Sequence, residues 1–536
     1  MLLKRLLCLL CLTSVLSIAQ PAVSSPVASI QSYIKQNWKT LERSDRDLAK
    51  AAVDPKFKPL PNGRWPVYVP AGENLAAIEA RVKRDMAPAD FAKIELRRLP
   101  SNGEDPDVQG LLYLPKPYVV PGGRFNEMYG WDSFFIQLGL LRDGEIPLAK
   151  DMADNFLYEI ANYGKILNAN RTYYIHRSQP PFLTEMLLNV YRKTGEKAWL
   201  AASIPQIEKY YRFWIAPPHL TPETGLERYY DPGKGPAPEA VSAELNEKGQ
   251  NEFVTIREYF RAHTITDYDI SQYYNKSTNQ LTPLFYTADR SMRESGFDPS
   301  NRFGPFNADI IHYDPVCLNS LLYIMEDQTG EILTIVGRGS EAGVWKERAR
   351  VRGERIRKLL WDDKDGLFYD YNFVTNKLRP YPYLTTYYPL WAGIATKEQA
   401  RRTVENLSKF EAPGGLMTST LRTGEQWDAP YGWAPIELIA LQGLRRYGYN
   451  ADADRVSLKF LTMVLQEYLR TGTIVEKYDV VQGGANLAGG IRFGYLANQI
   501  GFGWTNAAFT TLYDALPAAD KAKLNAIKAP EAKRAH

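Results

Sequence analysis

Apolar residues recur at helical spacing along most of the chain beyond residue 120. This periodicity predicts helices at 146–162, 181–194, 197–213, 315–330, 343–360, 397–407, 435–447 and 451–470. Gly and Pro cluster between these segments, and the connecting loops are rich in polar and aromatic residues. Short helices that alternate with long loops indicate an all-α toroid with paired inner and outer layers, in which function concentrates in the loops.

The N-terminal part of the chain has a weaker, Pro-rich pattern, with helical patches at 28–36 and 74–86. We expect residues 20–118 to form an arm packed on the main domain. The main helical domain is predicted to span 119–518, and a tail follows at 519–536. Residues 232–284 are the longest weakly patterned stretch, which is either a lid or an insertion.

The first residues have the layout of a secretory signal peptide. A basic pair precedes an apolar run from Leu6 to Ile18, and the small residue Ala19 marks the expected cleavage site. The run is shorter than the ~20 residues that a bilayer span needs. The sequence therefore predicts a signal peptide at 1–19 and an exported protein, periplasmic or extracellular, with no membrane attachment after cleavage.

Composition limits the classes of partner. Hydrophobic residues make up 45% and charged residues 24%, as in ordinary globular proteins. The net charge of +4 falls further if the basic pair near the N-terminus is removed, so there is no strong electrostatic case for nucleic-acid binding. Cys317 is the one cysteine beyond residue 19, so no internal disulfide is expected. We expect a monomer, although the sequence carries no signal for oligomeric state.

The side chains available for chemistry are mainly carboxylates. Only five His are present and no metal-ligand spacing is found, which argues against zinc and redox sites. No Gly-x-Ser-x-Gly elbow and no phosphate-binding glycine loop occur. We therefore expect neither a metal nor a cofactor. The loops instead place acids beside arginines and aromatic rings.

Two long runs carry a specific family resemblance. Residues 121–135 (PGGRFNEMYGWDSFF) and 426–435 (QWDAPYGWAP) resemble the two signatures of the trehalase family. The likeness continues through 168–181 (NANRTYYIHRSQPP), 294–302 (ESGFDPSNR), 476–479 (EKYD) and 501–506 (GFGWTN). It covers most of the chain after residue 120. The resemblance implies an (α/α)6 toroid with long catalytic loops and an α,α-trehalase, an inverting glycoside hydrolase that splits trehalose into two glucose molecules.

Two carboxylates are implied as the catalytic pair. By position, Asp298 would be the general acid that protonates the bridging oxygen, and Glu476 would be the base that activates water. Inversion needs the two carboxyls about 6.5–9.5 Å apart so that the water fits between them. Glu476 rests on the shorter match, so a catalytic rather than a binding role for Asp132 stays open.

A neutral disaccharide dense in hydroxyls calls for multidentate hydrogen-bond partners, and arginine has five donors. The residues that the resemblance implies for substrate binding are Arg124, Trp131, Asp132, Asn168, Arg177, Gln179, Glu239, Gly296, Gln426, Trp427, Asp428 and Trp504. The alternative for Arg124 and Arg177 is an internal ion pair with Asp132 or Glu127.

Three departures from the family pattern bear on specificity. Phe297 stands where the family commonly has Trp, and Ala237 stands where its Pro-Arg-Pro-Glu run has a substrate-contacting arginine. The loop 489–499 (GGIRFGYLANQ) lacks the usual acid and gains Arg492. These changes keep two alternatives open, namely an inverting glycosidase acting on another α-glucoside and a non-catalytic sugar-binding protein.

Overall fold

The computed structural model describes residues 25–100, 106–241, 249–487, 490–495 and 497–528. The predicted signal peptide and the end of the predicted tail lie outside these residues. The helices are α1 Pro26–Leu41, α2 Leu48–Ala52, α3 Leu75–Asp85, α4 Pro88–Phe91, α5 Gly130–Asp143, α6 Ile146–Tyr163, α7 Leu183–Thr194, α8 Lys197–Ala202, α9 Ile204–Trp214, α10 Pro238–Val241, α11 Glu252–Ala262, α12 Pro283–Ser295, α13 Val316–Val336, α14 Gly339–Leu359, α15 Tyr388–Ala392, α16 Lys397–Glu405, α17 Ala434–Arg446, α18 Asn450–Thr471, α19 Gly503–Ala515 and α20 Ala518–Asn525.

A closed ring of inner helices forms the centre of the described structure. Each inner helix contacts the next in the order α5, α7, α13, α15, α17 and α19, and α19 packs against α5 to close the ring. The outer layer consists of the helices that follow these along the chain, α6, α8 with α9, α14, α16 and α18, together with α1. This architecture confirms the all-α toroid that the periodicity predicted and the (α/α)6 arrangement that the family resemblance implied.

Helix α5 of the inner ring is buried on nearly every side, whereas the outer helix α6 buries one face. In α5 nearly every residue is buried, because it faces both the centre of the ring and the outer layer. In α6 the buried positions follow one face, from Ala149 to Ile160. Helix α1 buries Ile30, Ile34 and Trp38 against α18, α19 and α20. The first part of the predicted arm is therefore packed as an outer helix of the toroid.

Strands are short and lie in the loops and in the N-terminal segment. They are β1 Glu42–Arg43, β2 Trp65–Val69, β3 Ile94–Arg98, β4 Leu111–Leu112, β5 Tyr118–Val119, β6 Leu220–Thr221, β7 Leu226–Glu227, β8 Tyr274–Asn275, β9 Gln280–Leu281, β10 Tyr313–Asp314, β11 Trp361–Asp362, β12 Leu367–Phe368, β13 Tyr371–Asn372, β14 Lys377–Leu378, β15 Glu411–Ala412, β16 Gly415–Leu416, β17 Tyr431–Trp433 and β18 Lys477–Asp479. β2 pairs in parallel with β3 and β4, and this small sheet has its own apolar core with α2 and α3. The sequence pattern did not predict this sheet.

Candidate active site

A cavity of about 580 Å³ lies at one end of the ring. The N-terminal ends of α5 and α19 reach it, with Asp132 and Trp504 in their first turns. Loops that precede the inner helices, parts of α10, α11 and α12, and residues 53–56 form the rest of the wall. Its size falls within the usual range for small-molecule sites. All of the predicted site residues except Arg177 and Asp428 line it.

Asp298 faces the cavity just beyond the end of α12. The helix ends at Ser295 and is capped by Gly296, whose positive φ of 79° turns the chain toward the cavity. A side chain at Gly296 would approach the Trp131 ring to 2.9 Å, so this position needs glycine. Burial raises the pKa of Asp298 to about 7, against the opposing charges of Arg293 and Arg177. A carboxyl with this pKa is protonated in part of its population near neutral pH, so it can donate a proton there.

Glu476 lies on another wall of the same cavity, at the start of β18, and it is 2% exposed. Strand β18 pairs with β17, and Trp504 Nε1 donates to the Glu476 carbonyl oxygen at 3.0 Å. The Tyr495 hydroxyl donates to Oε1, and Lys477 Nζ donates to Oε2 at 3.4 Å. Burial raises the pKa of Glu476, while Lys477 and Tyr495 oppose that rise. These two partners favour the ionised form that a general base needs.

Asp132 is the third carboxyl of the cavity. Burial raises its pKa well above the ordinary value, and the negative charges of Glu476 and Asp298 raise it further. All three carboxyls line the same cavity. A protonated Asp132 can donate a hydrogen bond to a substrate hydroxyl.

Tryptophan rings form an apolar wall beside these acids. The ring centroid of Trp131 lies 5.8 Å from that of Trp427 and 6.0 Å from that of Trp504. Trp427 stacks face to face on Trp433 at 3.8 Å. Phe297 packs edge-on against Trp131 at 5.3 Å, so the aromatic wall is kept although phenylalanine replaces the expected tryptophan. Such rings offer flat faces to a sugar.

Several predicted binding residues hold one another in place. Gln426 donates to the Asp298 carbonyl oxygen and accepts from Lys477 Nζ at 3.0 Å. Gln179 accepts from the backbone N–H of Trp131 at 2.9 Å, and Asn168 donates to the Arg293 carbonyl oxygen at 3.3 Å. Gln426 thus connects the loop of Asp298 to the lysine beside Glu476.

Arg177 and Asp428 lie behind the cavity wall. Arg177 is 1% exposed, and its Nη2 donates to Glu239, which does line the cavity. Burial opposes ionisation of Glu239, yet Arg177 and Arg293 lower its pKa below the ordinary value. Asp428 accepts from the Asn301 N–H at 2.8 Å and from the Tyr381 hydroxyl at 2.9 Å. Both residues therefore position others in this structure.

The departures from the family pattern have distinct structural settings. Ala237 is fully buried and does not line the cavity. In the loop at 489–499, Arg492 is exposed at the cavity mouth and Tyr495 reaches Glu476, whereas Gly489 and Leu496 lie outside the described residues. Arg124 lies near the same loop, with its guanidinium carbon 5.0 Å from the Tyr495 ring centroid.

Sequence reasoning missed four residues of this site. Lys477 and Tyr495 contact Glu476, Arg293 lies beside Asp298, and Glu252 contacts Arg293. A lysine within the apolar strand sequence after Glu476 was a usable signal, because a buried lysine needs a charged partner. Glu252 had no such signal, since it lies in the weakly patterned stretch.

Curated relatives share much of the sequence. The chain is 39% identical over 436 residues to the cytosolic neutral trehalase of Saccharomyces cerevisiae. The aligned region covers 73% of this chain and 56% of that protein. It is 36% identical over 535 residues to the cytosolic neutral trehalase of Kluyveromyces lactis, covering 88% of this chain and 69% of that protein. The chain thus spans little more than half the length of some of the relatives it matches.

The prediction of an exported protein is wrong. The relatives matched are named cytosolic neutral trehalases, which contradicts the signal peptide at 1–19 and a periplasmic or extracellular location. An apolar run bounded by basic and small residues reports hydrophobicity alone, and hydrophobicity does not by itself specify export. Within the described ranges, no helix has both the length and the apolar character needed to cross a membrane.

Solved structures and a family model complete the comparison. Neutral trehalase Nth1 from Saccharomyces cerevisiae superposes with a TM-score of 0.78 at 33% identity, covering 94% of this chain and 96% of that chain. A GH63 mannosylglycerate hydrolase from Thermus thermophilus has a TM-score of 0.52 at 16% identity, covering 74% of this chain and 95% of that chain, a likeness of fold alone. The family model described as Trehalase matches residues 20–516. The chain therefore belongs to the trehalase family.

Proposed function

We propose that this protein is an α,α-trehalase that hydrolyses trehalose to two glucose molecules by a single displacement with inversion. The observation that carries the proposal is that Asp298, whose pKa is raised to about 7, lines the same cavity as Glu476, which a lysine and a tyrosine hold by hydrogen bonds. Inverting hydrolysis needs one protonated carboxyl to act as the acid and one ionised carboxylate to act as the base.

Asp298 acts as the general acid in this proposal. Its proton goes to the bridging oxygen while the bond from that oxygen to the anomeric carbon breaks, so the leaving glucose departs as a neutral alcohol. Its pKa of about 7 suits this task, because a proton donor works best when its pKa lies near the working pH.

Glu476 acts as the general base. A water molecule attacks the anomeric carbon from the opposite face, and Glu476 takes its proton as the new C–O bond forms. The products are one α-glucose from the leaving group and one β-glucose from the attacked ring. The reaction needs no metal or cofactor, because acid, base and water supply every proton and bond.

Substrate positioning is assigned to the remaining polar groups. Asp132, Gln179 and Glu239 present donors and acceptors to the cavity for sugar hydroxyls, and Trp131 offers an apolar face. We further propose that the protein works as a monomer on a small disaccharide and binds no nucleic acid.

A second candidate is an inverting glycosidase that acts on another α-glucoside. It is favoured by the buried Ala237 and by Arg492 at the mouth, where the family pattern places an arginine and an acid. A substrate panel of trehalose, maltose, isomaltose and sucrose separates the two candidates. Glucose release from trehalose alone supports the trehalase.

Matched variants test the two catalytic assignments. Asp298→Asn and Glu476→Gln keep side-chain size and remove proton transfer, so each is expected to lower kcat by about 100- to 10,000-fold. Asp363→Asn and Glu347→Gln make the same chemical changes on the surface and should leave kcat unchanged. Turnover close to that of the unmodified protein in either site variant would remove that residue from its role.

A further inference from the structure

One cationic residue of the cavity wall, Arg293, was not among the predicted site residues. Arg293 lies in the last turn of α12, and its side chain is 13% exposed, on the cavity side. Its Nη1 lies 3.8 Å from Asp298 Oδ2, which is close enough for electrostatic attraction but too long for a hydrogen bond.

Two other carboxylates hold this guanidinium. Asp289, one turn earlier on α12, accepts from Nε and from Nη2, each at 3.1 Å. Glu252 accepts from the same Nη2 at 3.0 Å, and it comes from the first turn of α11. The guanidinium is thus fixed by a bidentate contact with Asp289 and by a single contact with Glu252 on another helix. Its Nη1 atom lies on the side that faces Asp298.

The charge balance of this cluster weakens the attraction between Arg293 and Asp298. Asp289 and Glu252 already supply two negative charges to one positive charge. Ionised Asp298 would be a third anion around the same cation, so the cluster attracts it less than a free arginine would. Arg293 therefore lies beside the acid while the pKa of Asp298 stays raised to about 7.

We propose that Arg293, anchored by Asp289 and Glu252, is a positioning residue for the general acid Asp298, and that Glu252 makes α11 part of the catalytic site. The proposal rests on the proposed function, since it assigns a task to the acid of that reaction. It also gives the weakly patterned stretch before α12 a defined task.

The other charged groups around Asp298 set the terms of a test. The charges of Arg177 and Glu252 also shift the pKa of Asp298. The charge of Asp298 in turn shifts the pKa values of Asp132, Lys477 and Tyr495. Arg293 favours the ionised form of Asp298, whereas Glu252 favours the protonated form. Removing each charge should consequently move the titration of Asp298 in opposite directions.

The experiment compares Arg293→Gln with Glu252→Gln in the full chain. The titration of Asp298 is followed as the carboxyl C=O infrared band that Asp298→Asn removes, and as the basic limb of the kcat/KM profile with trehalose. Arg293→Gln should move both midpoints to higher pH by about one unit or more, and Glu252→Gln should move both to lower pH. Arg257→Gln, which removes a charge from α11 away from the cavity, should move neither.

Two further outcomes are decisive. Shifts in the same direction, or no shift in either variant, would overturn the proposal. Arg293→Lys keeps the cation and should stay near the unmodified midpoint, so the comparison remains informative if Arg293→Gln does not fold. The infrared titration needs no turnover; an absence of trehalose hydrolysis with opposite infrared shifts would refute the proposed function and leave the positioning role standing.

Discussion

Replacing Lys477 with methionine is expected to disable the general base at low pH. The Lys477 ammonium is fully buried and donates to Glu476 Oε2 at 3.4 Å, to Gln426 Oε1 at 3.0 Å and to the Tyr495 carbonyl oxygen at 3.4 Å. It also lies 3.7 Å from the centroid of the Tyr495 ring. Methionine keeps the apolar length of the side chain and removes the charge.

The size of the effect follows from the loss of that charge. An opposite charge in contact lowers a carboxyl pKa by about 1–3 units, equivalent to about 1.4–4 kcal/mol. Without Lys477 the pKa of Glu476 rises by that amount, because burial then acts with less opposition. The base must be ionised to accept a proton, so the acidic limb of the kcat/KM profile moves to higher pH. Well below the new limb, kcat/KM falls by about 10- to 1,000-fold.

The assay is the pH dependence of kcat/KM for trehalose, measured for Lys477→Met, Tyr495→Phe and the surface control Lys523→Met. Tyr495→Phe removes only a hydrogen bond to Glu476 and should give a smaller shift in the same direction. Lys523→Met should give none, since that side chain is 66% exposed. An acidic limb that stays in place in a folded Lys477→Met variant would refute the assignment of Lys477 as the partner of an ionised base.

Three other changes have defined outcomes. Asp132→Asn should lower kcat/KM by only about tenfold, because an amide N–H can still donate the hydrogen bond that the protonated acid donates. A loss as large as that of Asp298→Asn would instead make Asp132 catalytic. Arg177→Ala should lower turnover, because Arg177 holds Glu239. In a double-mutant cycle with Glu239→Gln, the losses of turnover should be strongly non-additive. Additive losses would mean that Arg177 acts independently of Glu239. Arg352→Met leaves buried Glu227 and Glu326 without their cation, so denaturant unfolding should show a loss of about 3–5 kcal/mol, and an unchanged stability would contradict the inferred network.

Sequence periodicity found the outer helices better than the inner ones. The repeats in α6, α14 and α18 predicted helices close to the observed bounds, because each buries one face and exposes the other. Helices α5 and α19 are buried on nearly all sides, so they have no polar face for a periodicity to mark. The parallel sheet at β2 was missed for a different reason, since its pairing joins residues far apart in the chain.

The site was predicted where chemistry lies in contiguous runs. Residues such as Trp131 and Gln426 lie in long signatures and line the cavity. The contacts that tune the acids cross the chain, as in Arg293 with Glu252 and Gln426 with Lys477. No local pattern specifies such a contact, because it depends on which distant segments the folded chain brings together.

The anomeric form of the first glucose released tests the central claim most directly. Proton NMR of trehalose during the first turnovers, before mutarotation mixes the products, distinguishes the two anomers. The proposed mechanism predicts equal amounts of α- and β-glucose, since the attacked ring inverts and the leaving ring does not. Release of α-glucose alone would show retention and contradict the roles of Asp298 and Glu476, and an absence of glucose from trehalose would contradict the proposed function itself.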